Sequence, residues 1–253
     1  MPHPLFEASR PGSPTLLGGW ITLDAMPIGE LLAGAGFDYL GIDLQHSMIE
    51  PAGAYRLLYA MPGDMAKLVR VAANDGAVIG KLLDCGADGV IVPMVDTAEQ
   101  AARAVAACRY APGGTRSFGP VRLHLGRDPR KVEARAACFV MIETAEALRN
   151  VAAIAATPGV TGLYLGPADL AVALESVGEG GRLAPAVVDA GHAIVAACRA
   201  AGVIAGAHSM SVAQAGELAA LGFDMITLMA DKGYMLMGAA ALLADTRKAT
   251  GPA

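Results

Sequence analysis

The residues of this chain with chemistry to offer fall at the ends of short apolar runs. Glu143 follows the run Phe139 to Ile142, and Asp169 closes Gly166-Pro-Ala-Asp169 after Gly162-Leu-Tyr-Leu165. Two carboxylates at the ends of neighbouring strands can converge on one divalent cation and leave its other positions to water and substrate, as hard Mg²⁺- or Mn²⁺-type oxygen sites do. Arg70 ends the run from Lys67 and carries a permanent charge on a forked donor set suited to a carboxylate or an enolate oxygen. His46, just past Asp43, supplies a base whose charge switches near neutrality. Together these four read as an enolate-stabilising set. The turn Gly166-Pro-Ala-Asp169 is expected to open into a short helix beginning near Leu170, whose free N–H groups suit a substrate carboxylate. Plainer roles stand beside these: Glu143 or Asp169 as a helix N-cap, His46 as a hydrogen-bonded core histidine, Arg70 as an ion-pair partner. Trp20, His208 and Asp231 mark further strand ends, and His3, His124 and His192 receive no role.

The elements that must position these residues announce themselves by a weak internal echo. Gly36-Phe-Asp38, Gly86-Ala-Asp88 and Gly222-Phe-Asp224 each precede an apolar run, and Gly159-Val-Thr161 is a degenerate fourth copy. Glycine just past a helix, followed by a continuous apolar segment, is how a helix-to-strand joint reads when the strand is buried on both faces. With Leu16 to Thr22, Lys67 to Val71, Phe139 to Ile142 and Val203 to Ala207, the candidate strands number eight. Helical patterns intervene, among them Thr97 to Arg109, Ala145 to Ala156, Pro185 to Ala200 and Ser211 to Leu221. Strict alternation over 253 residues predicts a single (β/α)8 TIM barrel spanning residues 1–253, whose chemistry lies at the carboxyl ends of the strands. An open doubly wound sheet is the competitor, and no glycine-rich phosphate-binding motif supports it. The stretch Tyr110 to Arg135 holds five arginines and reads as a lid or subunit-contact loop, or as a solvated excursion.

Composition excludes several function classes. A net charge of −5 argues against a general binder of nucleic acid or anionic membranes. Cys85, Cys108, Cys138 and Cys198 form no C-x-x-C pair, so they read as reduced, buried small hydrophobes. Residues 1–10 show no basic segment leading into an apolar run, and the Ala193 to Ala207 stretch is short and broken by Arg199. A soluble cytoplasmic protein is expected.

At these residues the chain resembles the HpcH/HpaI family of metal-dependent, class II pyruvate aldolases. The resemblance runs from Gly19-Trp20 through Ala33-Gly-Ala-Gly-Phe-Asp38, Ile42-Asp-Leu-Gln-His46, Val69-Arg70, Leu82-Leu-Asp-Cys-Gly86, Val92-Pro-Met-Val95 and Ile142-Glu-Thr144 to Gly166-Pro-Ala-Asp-Leu170. It implies a barrel of the phosphoenolpyruvate/pyruvate-binding type. It implies that Glu143 and Asp169 bind Mg²⁺, Mn²⁺ or Co²⁺, and that Arg70 contacts the oxygen that becomes the enolate. His46 would be the base, oriented by Asp84, while Trp20, Gly166, Ala168 and Asp169 contact the substrate and the N–H groups of Ala168 and Asp169 hold its carboxylate. The implied reaction is reversible aldol cleavage of 4-hydroxy-2-keto acids to pyruvate, or a 2-keto acid such as hydroxypyruvate, and an aldehyde. Oxaloacetate decarboxylation is the expected side activity, and the implied assembly is a hexamer built from dimers. Two departures are Gln45, where many relatives carry Glu, and Met141, where they carry Gln. Other readings are a thioester lyase of the citrate-lyase or malyl-coenzyme A lyase type, whose chains usually extend further at the C-terminus, and a non-catalytic keto-acid-binding barrel.

Overall fold

A computed structural model describes residues 5–6 and 13–251, so His3 and most of the N-terminal segment lie outside the described residues. Eight parallel strands close into one barrel in chain order: β1 (Leu16–Ile21), β2 (Tyr39–Asp43), β3 (Ala66–Arg70), β4 (Gly89–Val92), β5 (Ala137–Ile142), β6 (Gly162–Leu165), β7 (Ile204–Ser209) and β8 (Met225–Leu228). The helices between them are α1 (Met26–Ala33), α2 (Pro51–Ala60), α3 (Gly76–Asp84), α4 (Ala98–Cys108), α5 (Pro129–Arg135), α6 (Ala145–Arg149), α7 (Val151–Ala155), α8 (Pro167–Ala173), α9 (Pro185–Ala201) and α10 (Val212–Leu221). A last helix, α11 (Asp231–Thr250), follows β8. The expected helix over Ala145 to Ala156 is two short ones, interrupted at Asn150, whose side chain donates to the carbonyl of Asp96. The helix expected near Leu170 starts at Pro167, because Pro at the first helical position needs no N–H partner.

The sequence echo has a structural cause. Gly36, Gly86, Gly159 and Gly222 have φ between 91° and 102°, a region open to glycine at no steric cost. Two residues later a side-chain oxygen accepts the N–H at the start of the preceding strand. Asp38 takes Leu17 (2.7 Å), Asp88 takes Lys67 (3.0 Å), Asp224 takes Ala205 (2.9 Å) and Thr161 takes Cys138 (2.9 Å). Each copy therefore ends one helix and clips the barrel's N-terminal rim across two strands.

Side chains alternate between the helical layer and the barrel interior. Trp20, Tyr39, Leu68, Ile91, Phe139, Met141, Tyr164, Ile204 and Met225 fill the interior, and Phe6 closes it against Phe139 with ring centroids 5.6 Å apart. Large rings fit because small residues face them: a Cβ at Gly18 would collide with the Tyr39 ring, and one at Gly41 with Cε3 and Cζ3 of Trp20. Counting by twos along each strand from these interior residues reaches Asp43, Arg70, Glu143 and His208 at the carboxyl ends.

The arginine-rich stretch is largely irregular and exposed, but it is anchored. It contains a 3₁₀ turn at Leu123–Leu125 and α5, and three of its arginines are tied down. Arg116 pairs with Asp84 (2.7 Å), Arg122 donates to the Leu58 carbonyl (3.0 Å), and Arg135 pairs with Asp88 (2.5 Å). Asp84 ends α3 and Asp88 immediately precedes β4, so the stretch crosses the amino end of the barrel and does not cover the carboxyl end of its own chain. Among the described residues no helix is long and apolar enough to cross a membrane.

Candidate active site

The site is organised by Asp43. Register pairs Asp43 with Arg70 across β2 and β3, and the two form a forked ion pair, Nε to Oδ1 at 2.8 Å and Nη2 to Oδ2 at 2.6 Å. Oδ1 also accepts the backbone N–H of Gln45 (3.0 Å) and His46 (3.3 Å), so one carboxylate fixes both the guanidinium and the loop that carries the histidine. Burial alone would raise the Asp43 carboxyl, but the Arg70 contact and the two N–H groups outweigh it and hold it below its usual value. Arg70 is thus an ion-pair partner, and its Nη1 edge remains for a ligand. Its guanidinium lies 5.3 Å from the centroid of Trp20, within cation–π range.

Glu143 stands opposite, 1% exposed. Oε1 accepts the Met94 N–H at 2.7 Å, and Met94 takes φ of 54°, a costly conformation for a side-chain-bearing residue that aims its N–H at the carboxylate. Oε2 is buried without a hydrogen-bond partner. Burial pushes the Glu143 carboxyl up; the Met94 bond opposes this, and the negative charge of Asp169 adds to it. Glu143 does not cap the next helix, since Thr144 accepts the Ala147 N–H at 2.9 Å and does so itself. Asp169 is likewise no N-cap: it lies within the first turn of α8, exposed, beyond the Gly166 cap position. A Cβ at Gly166 would stand 2.9 Å from both Glu143 Oε2 and Met141 Cε, so a larger residue there would displace the tip of the carboxylate or of the thioether.

A cavity at the carboxyl end lies against these parts, with Asp43 and Glu143 buried behind its lining. Trp20, His46, Arg70, Gly166, Ala168 and Asp169 all line it, together with Met141, Tyr164, Pro167, His208 and Met210. The chain does not bring Asp84 there. Asp84 lies at the end of α3, on the amino side of the barrel, and lines a different cavity with Arg116, Lys81 and Thr115. Pairing of Asp84 with a His46 therefore requires two copies of the chain. Asp231 also stays out: its buried carboxylate accepts the Thr22 and Leu23 N–H groups, both at 2.9 Å, and the Thr22 hydroxyl at 2.6 Å.

Among the described residues no group of three or more His, Cys, Asp or Glu is arranged to hold a metal ion. The donor set that does fit a hard cation is the pair Glu143 and Asp169: an unpartnered buried carboxylate oxygen beside a second negative charge is relieved by a positive ion, with further oxygens drawn from water and substrate.

The chain matches the family described as HpcH/HpaI aldolase/citrate lyase over residues 17–236. It belongs to that family. It is 37% identical over 228 residues to 4-hydroxy-2-oxovalerate aldolase of Rhodococcus jostii, covering 83% of this chain and 86% of the relative. It is 36% identical over 245 residues to a hydroxypyruvate/pyruvate aldolase of Paraburkholderia phytofirmans, covering 92% and 93%. Among solved structures, an HpcH/HpaI aldolase/citrate lyase family protein from Burkholderia cenocepacia superposes with a TM-score of 0.86 at 30% identity, covering 97% of this chain and 99% of the other. Family membership makes the chain a carbon–carbon lyase of the aldolase/citrate lyase family, and the curated relatives named above are aldolases.

Residue patterns at the strand ends pointed to most of the cavity, but the role of Asp43 was missed. Its signal was there: Asp43 and Arg70 share interior parity on adjacent strands, which is what a cross-strand ion pair requires. The Met94 N–H, a backbone donor on a loop, left no readable mark in the side-chain pattern.

Proposed function

We propose that this chain cleaves 4-hydroxy-2-keto acids to pyruvate, or to a related 2-keto acid such as hydroxypyruvate, and an aldehyde, with oxaloacetate decarboxylation as a side activity. The observation that carries the reading is the half-satisfied Glu143 carboxylate near Asp169, beside the cavity that Asp169 lines and where Asp43 holds Arg70. Mg²⁺, Mn²⁺ or Co²⁺ held by Glu143 and Asp169 would supply Lewis-acid polarisation of the 2-keto oxygen. The free edge of Arg70 donates to the same oxygen and stabilises the charge that develops there as the C3–C4 bond breaks. The N–H groups of Ala168 and Asp169, in the unpaired first turn of α8, hold the carboxylate. His46 removes the proton of the C4 hydroxyl, so that the bond's electron pair passes to the keto acid as an enolate and the aldehyde leaves. Trp20 and Tyr164 wall the cavity with carbon, which lowers the local dielectric and strengthens the Arg70 contact. The named relatives are keto-acid aldolases, which supports aldol cleavage over thioester chemistry. A homo-oligomer, by resemblance a hexamer built from dimers, is part of the same proposal.

The test is a retro-aldol assay over a panel of 4-hydroxy-2-keto acids, read by released pyruvate. A chelator should abolish turnover, and Mg²⁺, Mn²⁺ or Co²⁺ should restore it. Full activity in chelator, with inactivation by borohydride, would mean a lysine imine and end this mechanism.

A further inference from the structure

His208 is the last inward-facing residue of β7, lines the cavity, and has no part in the reaction just described. Its ring packs edge-on against Trp20 with centroids 5.4 Å apart, and Trp20 stacks in turn on Tyr164 at 6.5 Å. The imidazole is thereby held in place by ring contacts. Among the described residues neither of its ring nitrogens has a hydrogen-bond partner. Its neighbours on that wall offer little: Met141 and Met210 present carbon and sulfur, and the Tyr164 hydroxyl is already given to Thr227 at 2.6 Å. Burial first, and the positive charge of Arg70 second, hold the imidazole pKa down to about 4 against the opposing charge of Asp43. The ring is therefore neutral at ordinary pH, with one N–H donor and one bare acceptor nitrogen.

A fixed, neutral imidazole with both ring nitrogens unengaged is matched to a group that also donates and accepts. Arg70 can only donate and the carboxylates can only accept, so neither is selective for a hydroxyl. We propose that His208 is a specificity-determining residue that hydrogen-bonds a substrate hydroxyl carried by, or next to, the carbon at which the new bond forms. This deepens the aldolase reading and rests on it. Two substrates bring that chemistry: a 3-hydroxy-2-keto acid donor such as hydroxypyruvate, or a 2-hydroxyaldehyde acceptor such as glycolaldehyde.

The experiment measures kcat/KM of the metal-loaded enzyme in the aldol direction for two matched pairs. One pair is hydroxypyruvate against pyruvate with a common aldehyde; the other is glycolaldehyde against acetaldehyde with pyruvate. The parent should prefer the hydroxylated member of at least one pair, and His208→Leu should cut that preference ratio about 10-fold, the scale of one lost buried hydrogen bond in a specificity pocket. His208→Gln, which keeps a donor and an acceptor, should retain most of the ratio and guards against a leucine variant that fails to fold. The pair whose ratio falls identifies the source of the hydroxyl. Ratios in both pairs unchanged within about twofold would overturn the assignment, as would equal loss in the leucine and glutamine variants. A parent enzyme that turns over no pair would overturn the aldolase reading itself, a result distinct from active enzyme with unmoved ratios.

Discussion

At the scale of single residues the site is a balance of charges, each held where its cost is met by a neighbour. Asp43 is buried but receives four hydrogen bonds, two from Arg70 and two from the backbone, and stays an anion. Glu143 is as deeply buried and receives only one, from Met94, so its second oxygen is a standing cost in the metal-free chain. An unpaired buried polar group costs about 1–3 kcal/mol, and more when charged. Glu143→Gln removes the charge and preserves the shape, so in chelator the variant should melt at or above the parent temperature. Titrated with Mn²⁺, the same variant should show no stoichiometric binding, because a hard-cation site depends on ligand charge. Parent-like Mn²⁺ affinity in Glu143→Gln would remove this residue from the ligand set.

At the scale of elements, the strands deliver function by parity. Every second residue faces inward, and Asp43, Arg70, Glu143 and His208 are the inward residues at the carboxyl ends of β2, β3, β5 and β7. The eight strands were legible in the sequence because each is a short apolar run, and three Gly-x-Asp copies with the degenerate Gly-Val-Thr one marked four of the joints. Their physical origin, a positive-φ glycine and a side-chain acceptor for the previous strand's first N–H, makes them readable in any barrel built this way. What was not legible depends on contacts between distant segments: the reach of Met94 to Glu143, the break at Asn150, and the placement of Asp84 at the far end of the barrel. Gly41 belongs with these, since only the position of Trp20 above it explains why no larger residue fits. Gly41→Ala should force the indole outward, at a cost of about 1–3 kcal/mol for overpacking a filled interior. Because Trp20 also supports Arg70 and His208, kcat/KM should fall with it. Urea unfolding and steady-state rates check both, and a variant matching the parent in each would mean the barrel interior is looser than its packing indicates.

At the scale of the whole molecule, the last helix departs from what a closed barrel needs. The helix after β8 ordinarily covers the seam between β8 and β1, yet among the described residues the hydrogen bonds that fasten α11 to the barrel are those of its first turn. Asp231 binds Thr22 and Leu23, and the Tyr234 hydroxyl donates to the Leu228 carbonyl while accepting from the Trp20 N–H. Beyond it Leu236 and Leu242 are 72% and 71% exposed, and Met235, Met237 and Leu243 are exposed too. Leu17, on the outward face of β1, is exposed as well, so among the described residues the seam and the helix both present apolar surface. From Tyr234 to Ala244 the helix is apolar on every side, a pattern that belongs to helices buried all round. A second copy would satisfy both surfaces at once, its α11 against this seam and this α11 against its own, in the self-complementary arrangement of a two-fold dimer. Each large apolar side chain so buried contributes about 1.5–3 kcal/mol, enough in sum to hold two chains together at micromolar concentration. Sedimentation of the parent should therefore give at least twice the chain mass, with the hexamer of the family resemblance as a multiple of that unit. The double variant Leu236→Asp, Leu242→Asp should shift the distribution toward single chains while circular dichroism still reports the barrel. If the parent sediments as a monomer, or the double variant assembles as the parent does, α11 is not the surface that joins the copies.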